Sequence, residues 1–159
     1  MKQYTFMMLK PDAFFQNHQT EIIELLKEKN LIIESAKQIQ VNMSVMQTLL
    51  LHYENVINQK GSEFNFPGRL FQTFYFHGPH FIMPMKIAYD GNENIITYTR
   101  KIVGKTNPVS ADTSSIRGMF SHDSYEKADG EGRLVHNVIH ASSSKEEAKR
   151  ELEIWEKYL

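Results

Sequence analysis

The sequence predicts an α+β fold, a mostly antiparallel four-stranded sheet covered by helices. Three observations lead there. Short apolar runs alternate with stretches of helical periodicity, in the order strand, helix, strand, helices, strand, helix, strand, helix. A length of 159 residues suits one domain, residues 1–159, built on a single core. Apolar and charged contents of 41% and 23% are ordinary for a globular chain, and no internal repeat or low-complexity segment suggests an array.

Residues 4–9 form a short, nearly continuous apolar run, the kind of strand buried on both faces. Lys10-Pro11-Asp12 ends it, because proline lacks the ladder donor and restricts the residue before it. From Thr20 the period becomes helical: Ile22, Ile23, Leu25 and Leu26 make one stripe, with Glu21, Glu24, Lys27 and Glu28 outside. Asn30 is a suitable stop, since asparagine tolerates the left-handed conformation at a helix end. A second strand is expected over 31–41, then a helix capped by Ser44 and running through Val45, Leu49 and Tyr53.

After a polar loop, Pro67 opens a helical stretch toward Phe76 that Gly78-Pro79 closes. Residues 80–89 predict a third strand, in which Pro84 points to an edge position or a bulge. Residues 92–103 are again helical. The segment 104–132, rich in Ser, Asp and Gly, is expected to be irregular and too long to be an idle connection. Residues 134–139 predict the fourth strand. Ser144-Lys145-Glu146-Glu147 fits the capping box of a last helix that buries Ala148, Leu152 and Trp155.

Several functions are made unattractive by composition. The formal net charge is −1 and the basic residues are dispersed, so nucleic acid is not an expected partner. Without cysteine there is neither disulfide nor thiolate chemistry. The apolar start reaches Lys10 too soon for a signal peptide, and no run approaches the ~20 residues that cross a bilayer. The expectation is a soluble, cytoplasmic chain with no membrane partner.

Of seven histidines, His18, His52, His77, His80, His122 and His136 are expected to be surface or half-buried side chains. His77 and His80 straddle Gly78-Pro79 and share no helical face, so no metal site is expected there. His140 stands apart by its position between a strand and a capped helix start, with Asn137 three residues before it. Upstream, Gly104-Lys105-Thr106-Asn107-Pro108 offers a cation and a hydroxyl, and Ile116-Arg117-Gly118 sets an arginine beside a glycine that permits close backbone approach. With Arg100, these are side chains suited to phosphate oxygens.

Taken in order, Lys10-Pro11-Asp12, GKTNP at 104–108, IRG at 116–118, NVIHAS at 137–142, and then Glu147, Ala148, Glu151 and Trp155 resemble nucleoside diphosphate kinases. The resemblance spans about residues 5–155 and implies a ferredoxin-like sandwich. It implies a ping-pong reaction through a phosphorylated His140, with Glu151 accepting the other ring N–H. It gives Lys10 and Tyr53 places beside the transferred group, Arg100, Thr106 and Arg117 the phosphate clamp, and Asn137 the sugar hydroxyl. Phe64 or Phe66 is implied as the ring on which the base stacks. Nucleoside di- and triphosphates are the implied partners, Mg²⁺ carried by their phosphates the implied cofactor, and a homo-oligomer the implied assembly.

In a regular strand Asn137 and His140 would face opposite ways. Both can serve one nucleotide only if the backbone departs from regularity near Val138-Ile139, so an irregular residue is expected just before His140. The chain also departs from the family pattern. The usual HGSDS is His140-Ala141-Ser142-Ser143-Ser144, without a carboxylate at Ser143; Ala13 and Ser114 replace the usual glycine and proline; and two insertions lie within 66–100 and 120–136. The second includes the polar segment 121–133. A catalytically inactive nucleotide-binding module of the same fold is the alternative, and the presence of His140, Lys10 and Arg117 weighs against it.

Overall fold

A computed structural model describes all 159 residues, Met1–Leu159. The chain runs β1 (Gln3–Leu9), α1 (Pro11–Phe15), α2 (Gln19–Glu28), β2 (Ile32–Ala36), β3 (Ile39–Gln40), α3 (Met43–His52), α4 (Glu54–Gln59) and α5 (Phe66–Phe74). It continues through β4 (Phe81–Tyr89), α6 (Ile95–Val103), α7 (Ile116–Phe120), α8 (Tyr125–Gly130), β5 (Ile139–Ala141) and α9 (Lys145–Ile154). The strands are ordered β2-β4-β1-β5, every pairing is antiparallel, and the two-residue β3 continues alongside β4. Split βαβ units, β1-α2-β2 and β4-α6-β5, interleave as in the ferredoxin-like sandwich.

β1 is the spine. Its side chains alternate between two cores: Met7 and Leu9 pack with Ile22 and Leu26 of α2 and Ile102 of α6, while Phe6 and Met8 pack with Leu49 of α3, Leu70 of α5 and Trp155. Phe6, Met7, Met8 and Leu9 are fully buried, as a continuous apolar run requires. Ile22 and Leu26, four apart, form the buried line of α2, and Asn30 ends that helix region at φ 64°.

Several expectations need correction. Pro84 lies in a central strand rather than at an edge. There it opposes Met8 of β1, and on the other side β2 stops opposite Met85 while β3 resumes opposite Ile82. A missing N–H is tolerated because the neighbouring ladder is broken at that point, which also divides the single strand expected over 31–41. Asn42, not Ser44, caps α3, accepting the Val45 N–H at 2.9 Å. Residues 104–132 contain α7 and α8, capped by Ser115 and Ser124. The fourth strand is Ile139–Ala141 rather than 134–139. Ser144 caps α9 through the Glu147 N–H at 3.0 Å, but the Glu147 carboxylate turns to Asn55 and Arg150 instead of completing the capping box.

Candidate active site

The site begins with a backbone irregularity. Val138 has φ 61°, a left-handed conformation that costs a β-branched residue energy, and Ile139 N–H donates to Asn137 C=O at 2.7 Å across it. This is a γ-turn with a positive φ at its centre, and it supplies the irregular residue expected before His140. The segment Lys10–Asp12 grips it. Val138 C=O accepts from Lys10 N–H at 2.8 Å, and Val138 N–H donates to Asp12 Oδ2 at 2.9 Å. Arg117, 7% exposed, holds the same stretch from the other side by donating to the carbonyls of Asn137, Ile139 and Gly104. A Cβ on Gly118 would strike the carbonyl of Asp112, so the glycine of IRG is what lets α7 seat its arginine.

Beyond the turn, β5 presents His140, whose side chain is 18% exposed. His140 Nε2 lies 2.9 Å from Glu151 Oε1, and Ser142 Oγ donates to the same oxygen at 2.5 Å. Burial, with the cations of Arg117 and Lys10 next in weight, lowers the pKa of His140 to about 3, so the ring is neutral at physiological pH. A neutral ring bonded to a carboxylate through Nε2 carries its proton there and leaves the Nδ1 lone pair free. Burial also raises Glu151, with His52 and the Ser142 hydroxyl pulling the other way.

A cavity of about 660 Å³ opens on His140. Its walls bring together Lys10, Tyr53, Arg100, Thr106, Arg117, Asn137, His140 and Glu151, from opposite ends of the chain. Lys10 Nζ donates to Asn137 Oδ1 at 2.7 Å, and Asn137 Nδ2 donates to Thr106 C=O at 2.9 Å, so cation, amide and loop form one chain of contacts. Burial pushes the Lys10 ammonium down to about 8. Burial raises the Tyr53 phenol, which stays protonated. Arg100 and Thr106 occupy exposed positions at the mouth.

A second cavity of about 490 Å³ shares Lys10, Tyr53, Thr106 and Asn137 with the first and adds Phe64 and Phe66. Phe66 is 7% exposed and belongs to the core beside Trp155, whereas Phe64 is half-buried. The polar segment 121–133 forms part of this wall through Tyr125, Ala128, Asp129 and Arg133. It is pinned by the bidentate contact of Arg133 with Asp123, at 2.6 and 3.1 Å, and by Arg69 on Asp129 at 2.6 Å.

Thus Lys10, Tyr53, Phe64, Phe66, Arg100, Thr106, Arg117, Asn137, His140 and Glu151 each line one of two adjoining cavities, whereas Lys105, the cation of GKTNP, lines neither. Two that were not singled out also belong here. His52 is neither at the surface nor half-buried: it is 4% exposed, with its ring centroid 4.5 Å from that of His140. Asp12, quoted only as part of a motif, holds the turn; its signal was its place after proline, where a first-turn carboxylate is fixed in direction. No helix of the protein is long and apolar enough to cross a membrane.

Comparison with known proteins points the same way. A family model described as nucleoside diphosphate kinase matches residues 3–158. The nucleoside diphosphate kinase of Methanocaldococcus jannaschii is 34% identical over 155 residues, covering 98% of this chain and 94% of that one. That of Exiguobacterium sibiricum is 33% identical over 153 residues, covering 96% and 94%. Among solved structures, a transition-state mimic of the Borrelia burgdorferi enzyme with bound vanadate and ADP has a TM-score of 0.82 at 26% identity, covering 97% of this chain and 86% of that one. An NDP kinase from Pyrobaculum aerophilum has a TM-score of 0.75 at 28% identity, covering 98% and 96%. With a free imidazole nitrogen at the head of a cation-lined cavity and a match from residue 3 to residue 158, the chain belongs to the nucleoside diphosphate kinase family and transfers phosphoryl groups between nucleotides.

Proposed function

We propose that His140 Nδ1 is the atom that carries the phosphoryl group. The observation that supports this most directly is the Nε2 contact with Glu151, which leaves Nδ1 as the lone pair beside the cavity. In the first half-reaction Nδ1 attacks the terminal phosphorus of a nucleoside triphosphate, the Nδ1–P bond forms, and the P–O bond to the departing diphosphate breaks. A terminal oxygen of a second nucleoside diphosphate then attacks, and the N–P bond breaks. The Nε2 proton stays on the ring throughout, with Glu151 balancing the charge that appears when Nδ1 is substituted. The Borrelia relative, with vanadate and ADP bound, is consistent with this chemistry at the same fold.

The remaining roles are those the resemblance implies, and their positions around the two cavities support them. Lys10 and Arg100 supply cations to the phosphates, Thr106 a hydroxyl, and Asn137 an amide for the sugar. Arg117 contributes charge while each of its three guanidinium nitrogens holds a carbonyl. Tyr53 stands beside the nucleophile, ring centroids 6.3 Å apart. The base enters the second cavity, where Phe64 is half-buried and Phe66 core-packed; Arg69 lies 4.0 Å from the Phe64 ring centroid, so the base shares that ring with a guanidinium. The carboxylates that line the first cavity, Glu147 and Glu151, are already engaged by protein donors. That fits Mg²⁺ arriving on the nucleotide phosphates rather than in a protein cage; bound there, it would neutralise phosphate charge. The reading also carries a single domain over 1–159 and a homo-oligomeric assembly.

The test is to mix the protein with Mg²⁺ and γ-labelled ATP, quench in alkali, and chase with unlabelled GDP. Label on the protein that passes to GDP and is absent from His140→Ala is the expected result. A folded protein that binds nucleotide and takes no label would instead mark an inactive module.

A further inference from the structure

His52 closes α3 with its side chain 1% exposed, packed between His140 and the terminal helix. Burial first, and the neighbouring His140 second, lower its pKa to about 3, so the ring is neutral. Its tautomer can be assigned from one neighbour. Trp155 Nε1–H is a donor only, and it lies 3.0 Å from His52 Nδ1. Nδ1 is therefore the acceptor, and the single ring proton sits on Nε2. That Nε2–H lies 3.8 Å from Glu151 Oε2, the carboxylate oxygen that His140 and Ser142 leave free, since both engage Oε1. At 3.8 Å the contact is electrostatic rather than a hydrogen bond.

His52, His140 and Glu151 have ligand atoms within 4.8 Å of one another, which would also suit a metal ion. The tautomer argues against one. A metal on His52 Nε2 would drive the proton to Nδ1, where it would face the Trp155 N–H, donor against donor.

We propose that His52 is a positioning residue for phosphoryl transfer: locked as the Nε2–H tautomer by Trp155, it sets a donor against Oε2 of Glu151 and keeps Oε1 aimed at His140. The proposal rests on His140 being the phosphorylated residue. Its role is confined to the carboxylate. When the Nδ1–P bond forms and the donor P–O bond breaks, the Nε2 proton of His140 remains and its ring becomes cationic. A Glu151 free to turn would balance that charge poorly, and a neutral donor on its far oxygen limits the turning without competing for the charge.

Two measurements decide it. Nitrogen–proton NMR of the wild-type protein should show His52 as the neutral Nε2–H tautomer at pH 7; the Nδ1–H form would overturn the proposal even if every variant failed to fold. Single-turnover labelling by γ-labelled ATP should slow about tenfold to hundredfold in His52→Phe, by analogy with the partners that orient metal-ligating side chains. The concentration of ATP giving half the maximal rate should change little, because His52, although it borders the first cavity, is 1% exposed with its ring nitrogens turned to Trp155 and Glu151. His52→Gln, which retains an amide donor, should recover part of the rate. Equal labelling rates in folded His52→Phe and wild type would overturn the proposal. Absence of label in the wild type would instead overturn the phosphohistidine reading, and the proposal with it.

Discussion

The carboxylate of Asp12 and the main-chain N–H of Val138 are joined by a 2.9 Å hydrogen bond, although 126 residues separate them. The bond fixes the γ-turn two residues before His140, and through it α1 determines where the nucleophile points. Asp12 is 1% exposed and its other oxygen has no hydrogen-bond partner, so the side chain is committed to this contact. Removing it in Asp12→Ala leaves a buried N–H unsatisfied beside a strained residue, at a cost of about 1–3 kcal/mol. We expect a lower Tm by calorimetry and at least about a tenfold slower labelling of His140, because a misplaced reacting group is heavily penalised. Unchanged labelling would show that the turn keeps its shape without Asp12.

The labelling rate should be insensitive to acid over a range where an ordinary histidine is not. His140 titrates at about 3 instead of 6.5, so the nucleophile stays neutral as pH falls from 7.5 to 5. The alkaline side is governed by Lys10, lowered to about 8 by burial. As pH rises through that value the ammonium loses its charge, and labelling at low MgATP should decline about tenfold per pH unit above it. Rapid-quench rates from pH 5 to 9.5 test both limbs; a fall centred near 6.5 would contradict the neutral-histidine assignment.

Stability should behave differently from rate. His52 and His140 are both lowered from 6.5 to about 3 in the folded state. Between those values the unfolded chain binds protons that the native protein refuses. Stability is therefore lost as pH falls through the window, by about 1.4 kcal/mol per pH unit for each such histidine. Glu151, raised by burial, acts in the opposite sense. Urea unfolding at pH 7, 6 and 5 should show a declining free energy, with a smaller slope in His52→Phe.

The segment 121–133 gives a fourth prediction. Asp123 and Arg133 are 8% and 11% exposed and joined bidentately; the arginine helps to hold the aspartate down at about 2, and Asp123 also accepts the His136 N–H at 2.7 Å. Arg133→Ala strands that carboxylate, at a cost of about 3 kcal/mol. Because α8 walls the second cavity, KM for the nucleotide should rise with kcat nearly unchanged, measurable by steady-state kinetics with GDP as acceptor.

The parts of the fold that were legible in the sequence are those whose pattern records burial on its own. β1 reads as a strand because both its faces are covered, and α2 reads as a helix because Ile22 and Leu26 repeat on one side. α7 and α8 were not legible. At five and six residues they carry no stripe, and their caps Ser115 and Ser124 look like any loop serine until the tertiary contacts are made. The parity of Asn137 and His140 announces an irregular residue near Val138, but not that the ladder begins only after it; that constraint comes from Lys10, Asp12 and Arg117, distant in sequence. The site itself was legible through motifs whose spacing carries the chemistry. His52 was not, since a single histidine at a helix end gives no sign of whether it meets water or another imidazole.

The placement of the site at the end of β1 has a consequence for how the protein should lose activity. β1, like its neighbour β4, sends side chains into both cores, and Lys10 follows directly on its last residue. Lys10, which grips the turn before the nucleophile, cannot shift without disturbing the ladder that β1 makes with β4 and β5. Amides of Met7, Met8 and Leu9 should therefore exchange with deuterium only through complete unfolding, while those of α8 exchange through local opening. Heat inactivation should accordingly be a single all-or-none event, with no long-lived species that is folded and inert.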